Sequence, residues 1–328
     1  MNPKLALLAA LVATTAWFIW MWWKLSRQSL PNVPGEKKHT WYHSIVAFVM
    51  CFFDTLGVGN FATTTAAFKF RKSVPDEIIP GTLNVGYVMQ TVAQALIYIF
   101  ILGVAVDEWT LVLMIAAAVA GAWLGAGIVS HWPRRKIQIG MGCCLLGASA
   151  VIALQIVGNY TPAADFITSN LPALQGTVAQ VQHLFSGGTG EALAGARLGI
   201  GLVGNFLLGA LMTLGIGLYA PCLMMVSLLG MSPVAAFPIM MGSCAFLMPV
   251  GGVRFIKAGR YAPWTTVVMS IAGIPAVLIA AYIVKTLEVN QVRGLVFFVV
   301  IYTAVMMLRS AFTEKAAAPA PQANSAPD

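Results

Sequence analysis

The chain has 328 residues, of which 59% are hydrophobic and only 9% charged, with a mean hydropathy of +0.82. Soluble domains carry about 25% charged residues, so this composition excludes a water-facing globular domain. The formal net charge of +8 is not a nucleic-acid footprint here, because it is confined to short segments between apolar runs.

Those runs cover residues 5–23, 78–106, 109–129, 137–158, 198–232, 234–253, 264–284 and 294–308. Most exceed the ~18 residues that mark a spanning helix, so the chain reads as an all-α polytopic membrane protein. The first run ends in the aromatic cluster WFIWMWWK. Such a cluster suits an interfacial anchor better than a signal cleavage site, and residues 1–40 are expected to be one extra N-terminal helix with a basic linker. The five cysteines (Cys51, Cys143, Cys144, Cys222 and Cys244) lie within apolar segments, in no metal or disulfide spacing. They read as small packing residues, and no metal or cofactor is expected.

Basic segments at 24–39, 69–72, 131–136 and 254–260, with Arg309 and Lys315, hold 15 of the 19 Lys and Arg residues. The turn at Asp107–Glu108 is acidic, and 159–191 contains no Lys or Arg. The positive-inside bias therefore assigns the basic segments to the cytoplasm and the other two to the outside. His39 and Lys69 then share a side although only 30 residues apart, whereas two full crossings need about 40. A hairpin that enters the bilayer, turns at the stretch TLGVGN and returns meets both constraints. Glycine suits such a turn, and non-helical backbone at that depth must be buried or line a cavity.

The stretch TLGVG at 55–59 returns as TLGIG at 213–217. At an offset of 158, Thr55, Leu56, Gly57, Gly59, Ala62, Pro75 and Pro80 meet identical residues; at an offset of 155, Trp109, Thr110, Val112 and Met114 do so. Each half then reads as a broken re-entrant hairpin followed by three spanning helices. Three crossings invert the second half, which gives two inverted repeats at 41–158 and 193–310, separated by a polar outside loop at 159–192 and followed by a disordered tail at 311–328. Matching broken helices in two halves point to the substrate site of a secondary transporter.

After the first break, Asn60 is placed to cap a returning half-helix, with Thr63 and Thr64 in its first turn. A helix N-terminus favours an anion, and threonine hydroxyls add donors without fixed charge. These residues bind a small anion together with Gly57 and Gly59, or they simply repair a broken helix end. The second copy offers Gly215, Gly217, Tyr219 and Cys222 at matching positions, and Asn84 and Ser243 lie on the helices that follow. Asp54 is the one acidic residue deep in an apolar segment. It carries a coupling proton or sodium ion, or it accepts N–H bonds from the turn as a structural group.

DTLGVGNFATTTAAFKF, IIPGTLNVGYV and TLGIGLYAPCLMMVSLLGMSPVAAFPIMMGSCAFL resemble the two glycine-rich signature regions of the TauE/SafE permeases, the sulfite exporter or toluene-sulfonate uptake family. The resemblance covers about residues 41–310. It implies a multi-pass permease of a bacterial inner membrane that carries a small sulfur-containing anion such as sulfite or an organosulfonate. It leaves room for homo-oligomers and implies no enzymatic activity. The first copy has Gly-Val-Gly-Asn, with Thr63 where the family more often has proline. Two other classes stay open from the residues alone: a cation- or proton-coupled transporter or channel using Asp54, and a non-transport scaffold whose 159–191 loop binds a partner.

Overall fold

The computed structural model describes residues 3–28, 33, 36–125, 134–159, 190–212, 216–286 and 289–313. Among these every regular element is helical, and the single β-bridge joins Gly190 to Met231. The helices are α1 (Pro3–Gln28), α2 (Thr40–Thr55), α3 (Phe61–Arg71), α4 (Ile79–Gly86) and α5 (Val88–Ala95), the last extended by a π-helical stretch, Leu96–Ile101. They continue with α6 (Glu108–Ala120), α7 (Arg134–Asn159), α8 (Gly195–Met212), α9 (Tyr219–Leu228), α10 (Ala236–Lys257), α11 (Pro263–Thr286) and α12 (Val289–Thr313). Among the described residues five helical stretches are long and apolar enough to cross a membrane: Pro3–Arg27, Asp76–Ile101, Gly195–Met212, Ala236–Lys257 and Pro263–Ile283.

The expected hairpin is present as two half-helices. At 1.5 Å per residue, the 16 residues of α2 and 11 of α3 rise about 24 and 17 Å, each short of a ~30 Å hydrocarbon core. Their outer ends meet again. The Tyr42 hydroxyl donates to the Ala67 carbonyl at 2.7 Å, and the Lys37 N–H to the Ser73 carbonyl at 3.0 Å. A chain that leaves and returns to one level is what the two basic segments at 24–39 and 69–72 require. In the second half α8 and α9 follow one another in the chain, and the Ser232 N–H beyond α9 donates to the Gly190 carbonyl before α8 at 2.9 Å. Between these two helices Thr213, Leu214 and Gly215 lie outside the described residues.

Helix contacts exchange between the halves. Helix α2 packs along α11, and α8 along α6; α4 and α5 pack on α10, and α7 on α12. Close approach of α6 and α8 depends on small residues, since a Cβ on Gly209 would run into the Ala118 carbonyl and one on Gly121 into that of Phe206. The centre is the Asp76–Ile101 stretch with α10, whose apolar windows are 72% and 89% buried, against 17% for α1. Outside this centre many large apolar side chains face away from the protein. Trp17, Trp20, Trp23, Phe53, Ile271, Tyr282 and Phe298 are all exposed, as in a molecule solvated by lipid.

The two ends differ in charge. At one, Glu36 accepts from both the N–H and the hydroxyl of Thr265, Lys38 lies over Trp264, and Lys69 sits beside Asp76. At the other, Lys4 approaches Glu108 at 3.9 Å and the Asp107 N–H donates to the Glu191 carbonyl at 2.8 Å. Glu36, Lys38, Lys69 and Asp76 thus lie at one end, and the acidic turn meets Glu191 at the other.

Candidate functional site between two helix breaks

The first break is built from Leu56 to Asn60. Gly57 and Gly59 take left-handed φ values of 99° and 81°, a region that glycine reaches without the Cβ clash other residues meet. The turn is held by the Gly57 N–H on the Asp54 carbonyl at 2.8 Å and by the Thr303 hydroxyl of α12 on the Val58 carbonyl at 3.2 Å. The direction of α3, and so the aim of its N-terminus, follows from that turn.

Asn60 occupies the N-cap of α3 without a side-chain capping bond. Its amide nitrogen is buried and has no hydrogen-bond partner, although the residue is only 3% exposed. The first intrahelical bond runs from Thr64 N–H to the Asn60 carbonyl, so the N–H groups before Thr64 precede the ladder. A buried donor without an acceptor is costly, and here it lies beside a helix N-terminus on the wall of a cavity.

That cavity, of about 40 Å³, is lined from the first break by Asp54, Val58, Gly59, Asn60, Phe61, Ala62 and Thr63 and from the second by Met212, Gly217, Leu218 and Tyr219. Thr91 of α5, Cys244 and Met248 of α10, and Tyr302, Thr303, Met306 and Met307 of α12 complete it. One water needs about 10–15 Å³ on this measure, so the space suits a few waters or a small ion. A second, apolar cavity of about 350 Å³ adjoins it, sharing Val58, Thr63 and Tyr302.

A hydrogen-bonded chain crosses from one break to the other. The Gln94 amide donates to the Asp54 carboxylate and to the Thr55 hydroxyl, both at 2.9 Å. The Tyr219 hydroxyl donates to the Gln94 carbonyl oxygen at 2.7 Å, and the Tyr98 hydroxyl to the Thr55 carbonyl at 3.2 Å. Asp54, Thr55, Gln94, Tyr98 and Tyr219 are all buried. One amide thus bonds both the carboxylate of Asp54 and the hydroxyl of Tyr219, at the start of α9.

The residues singled out from sequence divide clearly. Asp54, Gly59, Asn60, Thr63, Gly217 and Tyr219 share the cavity wall. Gly57 shapes the turn from behind, its would-be Cβ facing Met240 and Phe237. Thr64 is turned away: its hydroxyl pairs with that of Tyr87 at 2.7 Å, and it is fully buried. The Asn84 amide is spent on the Pro80 carbonyl, and the Ser243 hydroxyl accepts from Asn205 at 3.1 Å. Cys222 is buried on α9 outside the cavity, and Gly215 lies outside the described residues. Gln94 went unselected because nothing in its spacing sets it apart from Asn84 and Gln90, the other amides of the same apolar run. The α12 residues carry no signal at all in an apolar run.

Among the described residues no group of three His, Cys, Asp or Glu side chains is arranged to hold a metal ion.

A sequence model of the family described as Sulfite exporter TauE/SafE matches residues 1–152. No curated protein and no solved structure matches the chain. The match takes in α1, which lies outside the resemblance carried by the signature stretches at 41–310, and it stops before α8. Over residues 1–152, which hold α1 to α6, most of α7 and the whole first break, the chain is similar to the family described as Sulfite exporter TauE/SafE.

Proposed function

We propose that this protein is a secondary permease for a small sulfur-containing anion, sulfite or an organosulfonate, bound between its two broken hairpins. The observation that carries the reading is the unpartnered, buried Asn60 amide at the N-terminus of α3, on the wall of a cavity shared by both breaks. Backbone N–H groups, the helix dipole and one amide donor together favour an anion without a fixed positive charge that would hold it too firmly. The exchanged packing of α2 on α11 and α8 on α6 supports two inverted repeats, in which rocking of one unit against the other would expose the cavity to each side in turn. The basic segments of the sequence support a cytoplasmic placement for the end that carries Lys38 and Lys69, and the family likeness supports a bacterial inner membrane.

Asp54 lines the same cavity, and an ionised carboxylate there would repel the anion. A proton on Asp54 removes that repulsion, so anion and proton travel together; a sodium ion beside the carboxylate would serve the same end. The test is uptake of a radiolabelled sulfonate, which has no neutral form to leak, and of sulfite into proteoliposomes. An acidic exterior should drive accumulation, and collapsing the gradient should abolish it. Asp54→Asn should cut driven uptake more than binding. Uptake indifferent to the gradient removes the coupling role, and an absence of anion uptake under every condition removes the permease reading.

A further inference from the structure

We infer that the sulfur-bearing wall of the central cavity is a site for a soft, closed-shell monovalent cation, Cu(I), for which Ag(I) is a redox-stable stand-in. Five of the eighteen lining residues carry sulfur: Met212, Cys244, Met248, Met306 and Met307. The whole chain of 328 residues has only 16 Met and 5 Cys, so the wall is several-fold enriched. The five come from α8, α10 and α12, helices far apart in sequence that converge on this one space.

Two of them already stand near coordination geometry. Cys244 Sγ donates to Met212 Sδ at 3.5 Å, and metal–sulfur bonds of about 2.3 Å would set two ligands of one ion roughly 4 Å apart. Methionine has three rotatable bonds to close such a gap. Thiolate and thioether donors select Cu(I), whereas harder ions favour carboxylate or imidazole groups, and among the described residues no three His, Cys, Asp or Glu side chains are arranged to hold an ion. On binding, the Cys244 S–H proton leaves to water and the thiolate takes the cation. Thiolate and ion are then neutral together, the form that a buried membrane site tolerates. The anion donors lie on α3 instead, so this inference does not rest on the permease reading.

The full chain carrying Cys143→Ser and Cys144→Ser, which removes the exposed thiols, should retain one Cu(I) against a chromogenic chelator under reductant. Retention should be lost with Cys244→Ala, and again with the pair Met212→Leu and Met248→Leu, in which leucine keeps the volume and removes the thioether. Met241→Leu, at a buried methionine off the cavity wall, should retain the ion. X-ray absorption of the bound metal should give a shell of sulfur alone. A parent that loses Cu(I) to the chelator, retention that survives both sets of substitutions, or a nitrogen and oxygen shell overturns the site.

Discussion

Thr63 and Thr64 are adjacent in sequence and look alike as anion ligands, yet their hydroxyls have different surroundings. Thr63 lines the cavity, and its hydroxyl donates back to the Asn60 carbonyl at 3.0 Å, a local bond that an anion can replace by rotation about χ1. Thr64 shares a hydrogen with Tyr87 in the packed interior. Thr63→Val should weaken sulfite binding by about 0.5–1.5 kcal/mol and leave thermal stability nearly unchanged. Thr64→Val strands the buried Tyr87 hydroxyl and should cost about 1–3 kcal/mol of stability with little change in affinity. Binding isotherms and melting curves of the two variants check the pair, and reversed effects would exchange their roles. Sequence could not separate these neighbours, because both fall in the first turn of α3 and only the path of α4 and α5, which carries Tyr87, decides which is covered.

At the scale of elements, the first hairpin was legible because two basic segments only 30 residues apart must share a side, and a Gly-x-Gly stretch lies between them. The structure adds the ties that close it, Tyr42 to Ala67 and Lys37 to Ser73. Single cysteines at His39 and Lys72, in a chain lacking Cys143 and Cys144, should react with an impermeant thiol reagent from the same side, and one at Glu191 from the opposite side. Reaction at 72 from the side of 191 would make α2 and α3 one crossing. The faces of α12 were not legible in the same way. In a membrane helix the lipid side and the packed side are both apolar, so Tyr302, Thr303, Met306 and Met307 could not be told from their lipid-facing neighbours such as Phe298 until α7 and α9 were seen beside them. Cys244 is fully buried, as a small packing residue would be, and the sequence does not say that Met212 lies beside it.

For the molecule as a whole, the breaks matter because they meet. Composition predicts a bundle of spanning helices, and the repeated TLGxG stretches predict two weak points, but neither says that Asp54 and Tyr219 join through the one side chain of Gln94. In the proposed permease, helix ends that meet in a common cavity would let either half sense occupancy by the other, as alternating access needs. The central claim is that one anion sits between both breaks, and equilibrium binding of radiolabelled sulfite to purified protein tests it with one change from each side. Thr63→Asp puts a carboxylate on the wall of the first break. Gly217→Asp does so from the second, where a Cβ meets no atom within 4 Å and φ is not left-handed. The parent should bind saturably and both variants should fail, whereas binding of parental strength in either variant would contradict a site shared by the two breaks.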